Sequence, residues 1–315
     1  MLVGGIVMEL ISVQFALFVA IALLVYYLFP KKKQWIVLLC ASYLYYLLIC
    51  NKYIIYMLVT TVSTYLGARA IDALRIKQAE VVKAHKQEWS REERKSYKNK
   101  NLRKRRWIMI GVLLLNFGIL GFLKYFHFTA EIVVNFLGLF GFHGTAPDLG
   151  LLLPLGISFY TFQTMGYIID VYQEKVEAEH NIAKFALFVS FFPQIIQGPI
   201  AMYDDLAHQL YEEHDFEYDR LKSGALLVLW GMFKKMVIAD RAVKMIQLVT
   251  ADTTAFSGTF ILMAALMYAL QLYADFSGGI DIVRGIGEMF GITMAENFRR
   301  PYFSKSLTEY WHRWH

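Results

Sequence analysis

Long apolar runs separated by short polar segments dominate the chain. Residues 10–29 include no charged side chain over 20 positions, enough for a helix to cross a hydrocarbon core about 30 Å thick. Pro30 and the basic run Lys31–Lys33 follow directly, a stop-transfer pattern that favours a membrane span over a cleaved signal peptide. Three further apolar runs predict spanning helices, at 35–50, 53–70 and 107–126.

Beyond residue 126 the apolar runs are shorter or interrupted. Ile132–Phe142 is too short to span and is expected to be re-entrant or interfacial. Pro154 interrupts the run 151–172, and Pro193 interrupts the run 185–200. Non-helical backbone survives at membrane depth only where protein or a water-filled cavity satisfies its N–H and C=O groups. We therefore predict an all-α, polytopic transmembrane helical bundle with re-entrant or broken helices around a central cavity. Ordinary kinked helices packed by small residues are the alternative.

The last third of the chain alternates between polar and apolar segments. Residues 204–219 are rich in His and acidic side chains, yet their spacing matches no established metal site, so a solvated loop is expected. Residues 221–248 predict a long helix with Lys234 and Lys235 near its middle. Residues 256–274 predict another span.

Composition supports lipid as the solvent of this chain. Hydrophobic residues make up 57% of the 315 positions and charged residues only 18%, whereas soluble domains carry about 25% charged residues. The two cysteines, Cys40 and Cys50, are too few for a disulfide framework and have no metal-ligand spacing. We therefore treat residues 1–315 as a single membrane domain.

The positive charge is concentrated in one segment. Residues 75–106 contain 13 Lys or Arg against four Glu, an excess larger than the net charge of +6 of the whole chain. Such a segment between apolar spans predicts a basic cytoplasmic loop, attracted to anionic lipid headgroups. Two predicted spans separate it from Lys31–Lys33, so both lie on one side and the N-terminus is expected outside. Nucleic-acid binding is disfavoured, because few aromatic residues are interleaved with the cations.

Two groups of residues could carry chemistry. Asp275 and Asp281 follow an apolar span, and intramembrane carboxylates need a cavity or a cationic partner. The cations nearest in sequence are Arg284, Arg299 and Arg300. A buried ion-pair network that orients helices is the alternative to a functional role.

The second group is the pair His312 and His315, which would share a helix face with Glu309. Imidazole is suited to take a proton from a hydroxyl near neutral pH, as acyl transfer to an alcohol requires. A structural histidine is the alternative, and spacing alone does not decide between the two roles.

Four segments stand in the order and with the spacing found in the membrane-bound O-acyltransferase family. They are PLGISFYTFQTMGYIIDVY (154–172), FFPQIIQGPIAMY (191–203), YADFSGGIDIVRGIGEMFGI (273–292) and ENFRRPYFSKSLTEYWHRWH (296–315). The chain resembles this family from about residue 10 onward, most clearly from residue 154, and is most similar to its bacterial alginate O-acetylation branch. The resemblance to the branch that D-alanylates teichoic acid is weaker.

The resemblance implies a set of site residues. The family has an essential histidine in a W-x-R-W-H element, which here is His315. The residues that match the rest of the element are Trp311, Arg313 and Trp314. The resemblance also places four polar residues around the central cavity: Asp275, Ser277, Asp281 and Asn297.

The sequence departs from the family pattern in three places. His312 and Met202 stand at positions where the family commonly has Arg. Family members also continue well beyond the position of His315, with a second essential histidine. We therefore expect this membrane domain to be incomplete at its C-terminus.

The function implied by the resemblance is acetyl transfer to hydroxyls of an exported polysaccharide or a cell-wall glycan. The donor, acetyl-CoA or an acyl carrier, would be a substrate, and no bound cofactor or metal is expected. The implied partners are membrane lipid, the glycan and a periplasmic or extracellular acetyltransferase, with the protein in the plasma membrane. Three alternatives stay open: D-alanyl transfer to teichoic acid, a transporter built on the broken helices, and a non-catalytic membrane protein.

Overall fold

The computed structural model describes residues 10–140, 144–145 and 153–314. Within them the chain forms twelve α-helices, joined by short 3₁₀ turns and loops. The helices are α1 (Val13–Leu28), α2 (Gln34–Cys50), α3 (Ile54–Ala84), α4 (Arg91–Gly138), α5 (Ile157–Tyr172), α6 (Ile182–Ser190), α7 (Phe192–Gln197), α8 (Tyr203–Tyr211), α9 (Tyr218–Met232), α10 (Asp240–Ala251), α11 (Gly258–Met289) and α12 (Leu307–Arg313). A π-helical turn, Phe233–Ala239, joins α9 to α10 without a break.

The described residues form no β-strand, which confirms the all-α prediction. Three helical stretches are long and apolar enough to cross a membrane: Lys31–Ala84, Arg91–Gly138 and Gly258–Met289. Their apolar side chains are largely exposed on the protein surface, as with Leu114 and Leu262. Lipid can solvate such side chains whereas water cannot, so the chain is a multi-helix membrane protein.

The basic segment 75–106, predicted as a cytoplasmic connection between spans, is mostly helical. α3 continues to Ala84, and α4 begins at Arg91 behind a reciprocal cap. In that cap Glu93 N donates to Ser90 Oγ at 3.2 Å, and Ser90 N donates to Glu93 Oε2 at 2.8 Å. Lys, Arg, Glu and Ala are strong helix formers, so the charge that excludes the segment from lipid does not break its helix. We call residues 75–106 the basic hairpin.

Two segments differ from the predictions. Ile132–Phe142 is expected to be re-entrant or interfacial; the structure describes it as far as residue 140, and there α4 continues to Gly138 because no proline interrupts the run. The predicted loop 204–219 contains α8, whose apolar residues Leu206 and Leu210 lie four apart and are both buried. One buried stripe is enough to fold a polar segment into a helix.

The helix breaks expected between residues 154 and 200 are observed. Gly156 precedes α5 with φ of +68°, a conformation that glycine adopts without strain. Phe191 separates α6 from α7, and α7 ends at Gln197, before Gly198 and Pro199. The central cavity that these breaks led us to expect stays a prediction.

The chain divides into two compact units. One unit comprises the residues through Ile49, Phe191–Ala201 and the chain from Asp205 onward, and the other comprises Cys50–Ser190 with Met202–Asp204. In the second unit α3 and α4 run antiparallel, with Asn116 Nδ2 donating to Ser63 Oγ at 3.1 Å.

In the first unit α9 and the following π turn lie against α11 at glycine positions. A Cβ added to Gly231 would lie 2.5 Å from the Gly278 carbonyl oxygen, and one added to Gly278 would lie 2.8 Å from the Gly231 carbonyl oxygen. Gly224 and Gly285 repeat the arrangement seven residues away on each helix. Small residues allow membrane helices to approach closely, so van der Waals contact replaces the hydrophobic effect that lipid cannot supply.

Replacing Gly278 with Leu should separate these helices. We expect G278L to lower the free energy of unfolding by about 3 kcal/mol or more, because its side chain meets backbone and not a flexible group. The measurement is the thermal unfolding midpoint in detergent. Gly118, on α4, has open space around its Cβ position, so G118L is the matched control, and equal midpoints for the two variants would contradict the packing.

Candidate functional site

The polar centre of the first unit lies where the π turn faces α11. Lys234 Nζ donates to Asp281 Oδ2 at 2.6 Å and to Ser277 Oγ at 3.0 Å. Lys235 Nζ forms an ion pair with Asp275. Arg284 Nη1 lies 3.4 Å from Asp281 Oδ1, so Asp281 is held between two cations.

The π turn determines how two adjacent lysines can both reach α11. In an α-helix neighbouring side chains point about 100° apart, so two adjacent lysines face one neighbouring helix less directly. A π-helical turn is wider, so the angle between neighbours is smaller. Lys234 and Lys235 consequently bond to carboxylates six positions apart on the facing helix, Asp281 and Asp275.

Burial makes this ion-pair network costly to disrupt. The Lys234 side chain is 9% exposed and that of Asp281 is 14% exposed. A charge taken out of water is tolerated when an opposite charge and further hydrogen bonds compensate it, and removing one partner leaves the other unpaired. The network therefore fixes the rotation of α11 relative to the π turn.

The tripeptide Ser277–Gly279 has a different neighbour at each position. Ser277 accepts a hydrogen bond from Lys234, and Gly278 lies against Gly231. A Cβ on Gly279 would overlap the side-chain amide of Gln197, at the end of α7. Tight packing on two sides explains why α11 has two consecutive glycines inside a membrane-length helix.

The C-terminal segment 296–314 folds back on α11 through aromatic contacts. Arg299 N donates to the Arg313 carbonyl at 3.0 Å, next to a single bridge between Phe298 and Trp314. The Trp314 ring meets that of Phe298 edge to face, with centroids 5.0 Å apart. It also lies 6.2 Å from the ring of Tyr273. These contacts place Trp314 next to Tyr273, which stands two residues before Asp275 on α11.

Helix α12 carries most of the W-x-R-W-H element. Its N-cap is Ser306, whose Oγ accepts from Glu309 N at 3.1 Å. Glu309 accepts from Lys305 N at 2.8 Å and pairs with Arg313 at 2.6 Å. The hydrogen bond from the Lys305 backbone, assisted by the Arg313 charge, lowers the pKa of Glu309 below its usual value.

The structure brings some of the predicted residues together and leaves others apart. Asp275, Ser277 and Asp281 all bond to the two adjacent lysines of the π turn, and Asn297 lies in the segment that returns towards α11. Trp311 is 67% exposed on α12. The assigned base, His315, lies outside the described residues.

The cations of the network differ from those expected. Arg284 does pair with Asp281, but Arg299 and Arg300 form no ion pair with either aspartate in the part of the chain that the structure describes. Lys234 and Lys235 take that role, and sequence reasoning did not assign them. The available signal was two adjacent charges in the middle of a membrane-length helix, which require an acidic partner.

Fold and site together define a polytopic helical membrane protein with a buried lysine–aspartate network. The chain is similar to the probable alginate O-acetylase AlgI of Pseudomonas aeruginosa, with 34% identity over 299 residues, covering 95% of this chain and 52% of that protein. A peptidoglycan O-acetyltransferase of Helicobacter pylori is 33% identical over 241 residues, covering 68% of this chain and 45% of that protein. A teichoic acid D-alanyltransferase of Bacillus subtilis is 28% identical over 176 residues, covering 54% of this chain and 43% of that protein.

No family model matches the chain. The relatives nevertheless confirm the resemblance inferred from the motifs, and the chain is a homologue of the membrane-bound O-acyltransferases. It spans about half the length of the curated relatives it matches.

Replacing Lys234 with Met tests the network. K234M keeps the length of the side chain but removes the ammonium, so we expect a loss of about 2–3 kcal/mol in the free energy of unfolding. The double variant K234M/D281N should recover part of that loss, because it removes both buried charges.

The measurement is chemical unfolding in mixed micelles, analysed as a double-mutant cycle. Lys222 is an exposed lysine of α9, so K222M is the matched control and should change stability by less than about 0.5 kcal/mol. Additive effects of K234M and D281N would show that the two side chains are not coupled.

Proposed function

We propose that the protein is a membrane-bound O-acyltransferase that moves an acetyl group to hydroxyls of an exported polysaccharide or cell-wall glycan. The observation that carries this proposal is the similarity over 95% of the chain to a probable alginate O-acetylase. The peptidoglycan O-acetyltransferase supports the same reaction on another glycan. D-alanyl transfer has weaker support, because the relatives named for it are 28% identical over about half of the chain.

In the proposed reaction the imidazole of His315 takes the proton of the acceptor hydroxyl. The hydroxyl oxygen then attacks the acetyl carbonyl of a thioester donor, acetyl-CoA or an acyl carrier. The new C–O bond gives a tetrahedral oxyanion; the C–S bond then breaks as the carbonyl re-forms, and the thiolate leaves with the proton from the imidazolium. Preorganised dipoles would stabilise the oxyanion between these steps.

The residues around the network have a positioning role in this proposal. The lysine–aspartate pairs fix α11, and α11 in turn supports Trp314 through Tyr273. Trp314 directly precedes His315 in the chain. In the proposal, the rotation of α11 therefore helps to position the segment that carries the base.

The proposed topology places the basic hairpin in the cytoplasm and the N-terminus outside, in the plasma membrane. The positive-inside rule supports it, since α2 and α3 lie between Lys31–Lys33 and the basic hairpin. A cytoplasmic donor and an external glycan then require a passage across the membrane. An extracellular or periplasmic acetyltransferase would be the partner that distributes acetyl groups along the glycan.

The H315A variant tests the assigned base. In cells that export the acceptor glycan, we expect H315A to lower the O-acetyl content of the glycan by about 100-fold or more, because general-base catalysis contributes about 10²–10⁴ in rate. The measurement is ester content by NMR, normalised to the amount of protein in the membrane. His127 is an exposed histidine on α4, and H127A should retain normal acetylation.

Two outcomes would contradict the proposal. Normal acetylation by H315A would remove the role of His315 in catalysis. Transfer of D-alanine and not of acetate by the unmodified protein would replace acetylation with the alternative reaction.

Cysteine labelling tests the topology. In a C40A/C50A background, K98C lies in the basic hairpin and K52C lies in the turn between α2 and α3. A membrane-impermeant maleimide should label K52C in intact cells and K98C only after the cells are opened. The reverse pattern would invert the proposed orientation.

A further inference from the structure

The membrane-proximal part of the basic hairpin carries a charge that the proposed function does not use. Residues 94–106 of α4 contain eight Lys or Arg and no acidic residue. The four glutamates of the hairpin all lie farther from the apolar run, between positions 80 and 93. Like charges three or four positions apart repel on a helix, so this run costs helix stability unless external anions neutralise it.

The structure separates these eight cations into two sets. Arg105 faces inward, with its side chain 4% exposed and its Nη1 2.5 Å from Glu174 Oε1. Arg94 is half-buried and donates from Nε to the Ser90 carbonyl at 3.4 Å. Six residues are exposed and form no ion pair with any described residue; we call Lys95, Lys98, Lys100, Arg103, Lys104 and Arg106 the outer cation set.

The position of the outer cation set along α4 relates it to the bilayer. Trp107 follows immediately, is 70% exposed, and begins the apolar run, as expected of an aromatic anchor at the interface. At 1.5 Å per residue, Arg103 and Lys104 lie within about 6 Å of Trp107 along the helix axis, and Lys100 lies within about 11 Å. Arg103 and Lys104 are therefore within one Debye length of the level of Trp107, about 8–10 Å at physiological salt, and Lys100 lies just beyond it.

One face of this set also offers neutral hydrogen-bond donors. Lys95, Lys100 and Arg103 line an open depression of about 610 Å³ together with Ser96 and Asn99. Guanidinium, ammonium, hydroxyl and amide groups are the donors that bind phosphate oxygens. The single acidic residue of the depression, Glu92, lies at the end farther from the membrane.

We propose that the outer cation set binds the phosphate headgroups of anionic phospholipids in the leaflet next to the basic hairpin. Arg105 holds α4 against its own unit through Glu174. Of the outer cation set, Arg106 also donates from Nε to Tyr172 Oη at 3.4 Å, and the other five cations are directed away from these contacts. The outer cation set lies next to the apolar run of α4, at the level where phospholipid phosphates lie. This position favours lipid phosphate over a soluble polyanion as the ligand. Anionic lipid would thereby fix the depth of α4 in the bilayer.

The experiment compares two triple variants that remove equal charge from the purified full chain. K100Q/R103Q/K104Q removes the cations nearest the membrane, and K83Q/K86Q/R91Q removes exposed cations at the tip of the hairpin. Both proteins are titrated in neutral detergent with short-chain phosphatidylglycerol, and with phosphatidylcholine of the same chain length. The readouts are the rise in unfolding midpoint and the number of bound lipids by native mass spectrometry.

We expect phosphatidylglycerol to stabilise the unmodified chain and the tip variant alike, and to bind K100Q/R103Q/K104Q about tenfold or more weakly. Phosphatidylcholine should have little effect, and 0.5 M NaCl should weaken the binding of phosphatidylglycerol. Equal unfolding midpoints without lipid show that both variants fold.

Three outcomes would overturn the proposal. An equal loss of phosphatidylglycerol affinity in the two triple variants would show that binding depends on net charge and not on the position of the cations. An equal response to both lipids would remove the role of the headgroup charge. Binding of glycerol 3-phosphate or of a short RNA with the same affinity, in the same assay, would identify a soluble phosphate ligand and not the membrane.

Discussion

Gly231 and Gly278 approach so closely that the carbonyl oxygen of each lies where a Cβ of the other would be. This contact determines which ion pairs the neighbouring lysines and aspartates can form. With the two backbones this near, the stems of Lys234 and Lys235 reach across to Asp281 and Asp275. Larger residues at the glycine positions would separate the helices and leave the charges unpaired in a low-dielectric environment.

The same pair of helices connects the network to the C-terminal element. α11 carries the two aspartates and, two residues before the first of them, Tyr273. Tyr273 packs against Phe298 and Trp314, which also pair through the backbone bridge. Residues that the motif resemblance implies for the site are therefore linked by packing and not only by their order in the chain. In the proposed reaction this linkage positions the segment that carries the base.

The basic hairpin contains two groups of cations, one buried and one exposed. Arg105 and Arg75 pair with Glu174 and Asp72 and are largely buried, so they contribute to the fold of their unit. The outer cation set forms no ion pair with the residues that the structure describes, and its density close to the apolar run complements the charge of an anionic phospholipid surface. The basic hairpin thus contains buried cations that pair within the fold and exposed cations that, in the proposal, bind lipid. Only the directions of the side chains distinguish the two groups.

The sequence by itself determined the solvent of this protein and most of its helices. Runs such as 10–29 and 107–126 are too apolar for water, and their length follows from the thickness of a bilayer. The helix breaks near Pro154 and Pro193 were equally predictable, because proline removes a backbone donor wherever it occurs. The motifs also led to the acyltransferase resemblance, which the relatives confirm.

Tertiary structure decided how the charged residues pair and where the helices end. Arg299 and Arg300 are closer in sequence to Asp281 than Lys234 is, yet the antiparallel packing of the π turn on α11 brings Lys234 within 2.6 Å. The charged residues of 75–106 predicted a connection outside the lipid but not its secondary structure, which is mostly helix because charge opposes burial and not helix formation. Local sequence patterns determine which residues prefer lipid or water and where the backbone can form a helix. An ion pair between helices depends on how the two helices are aligned, and the sequence of one segment does not determine that alignment.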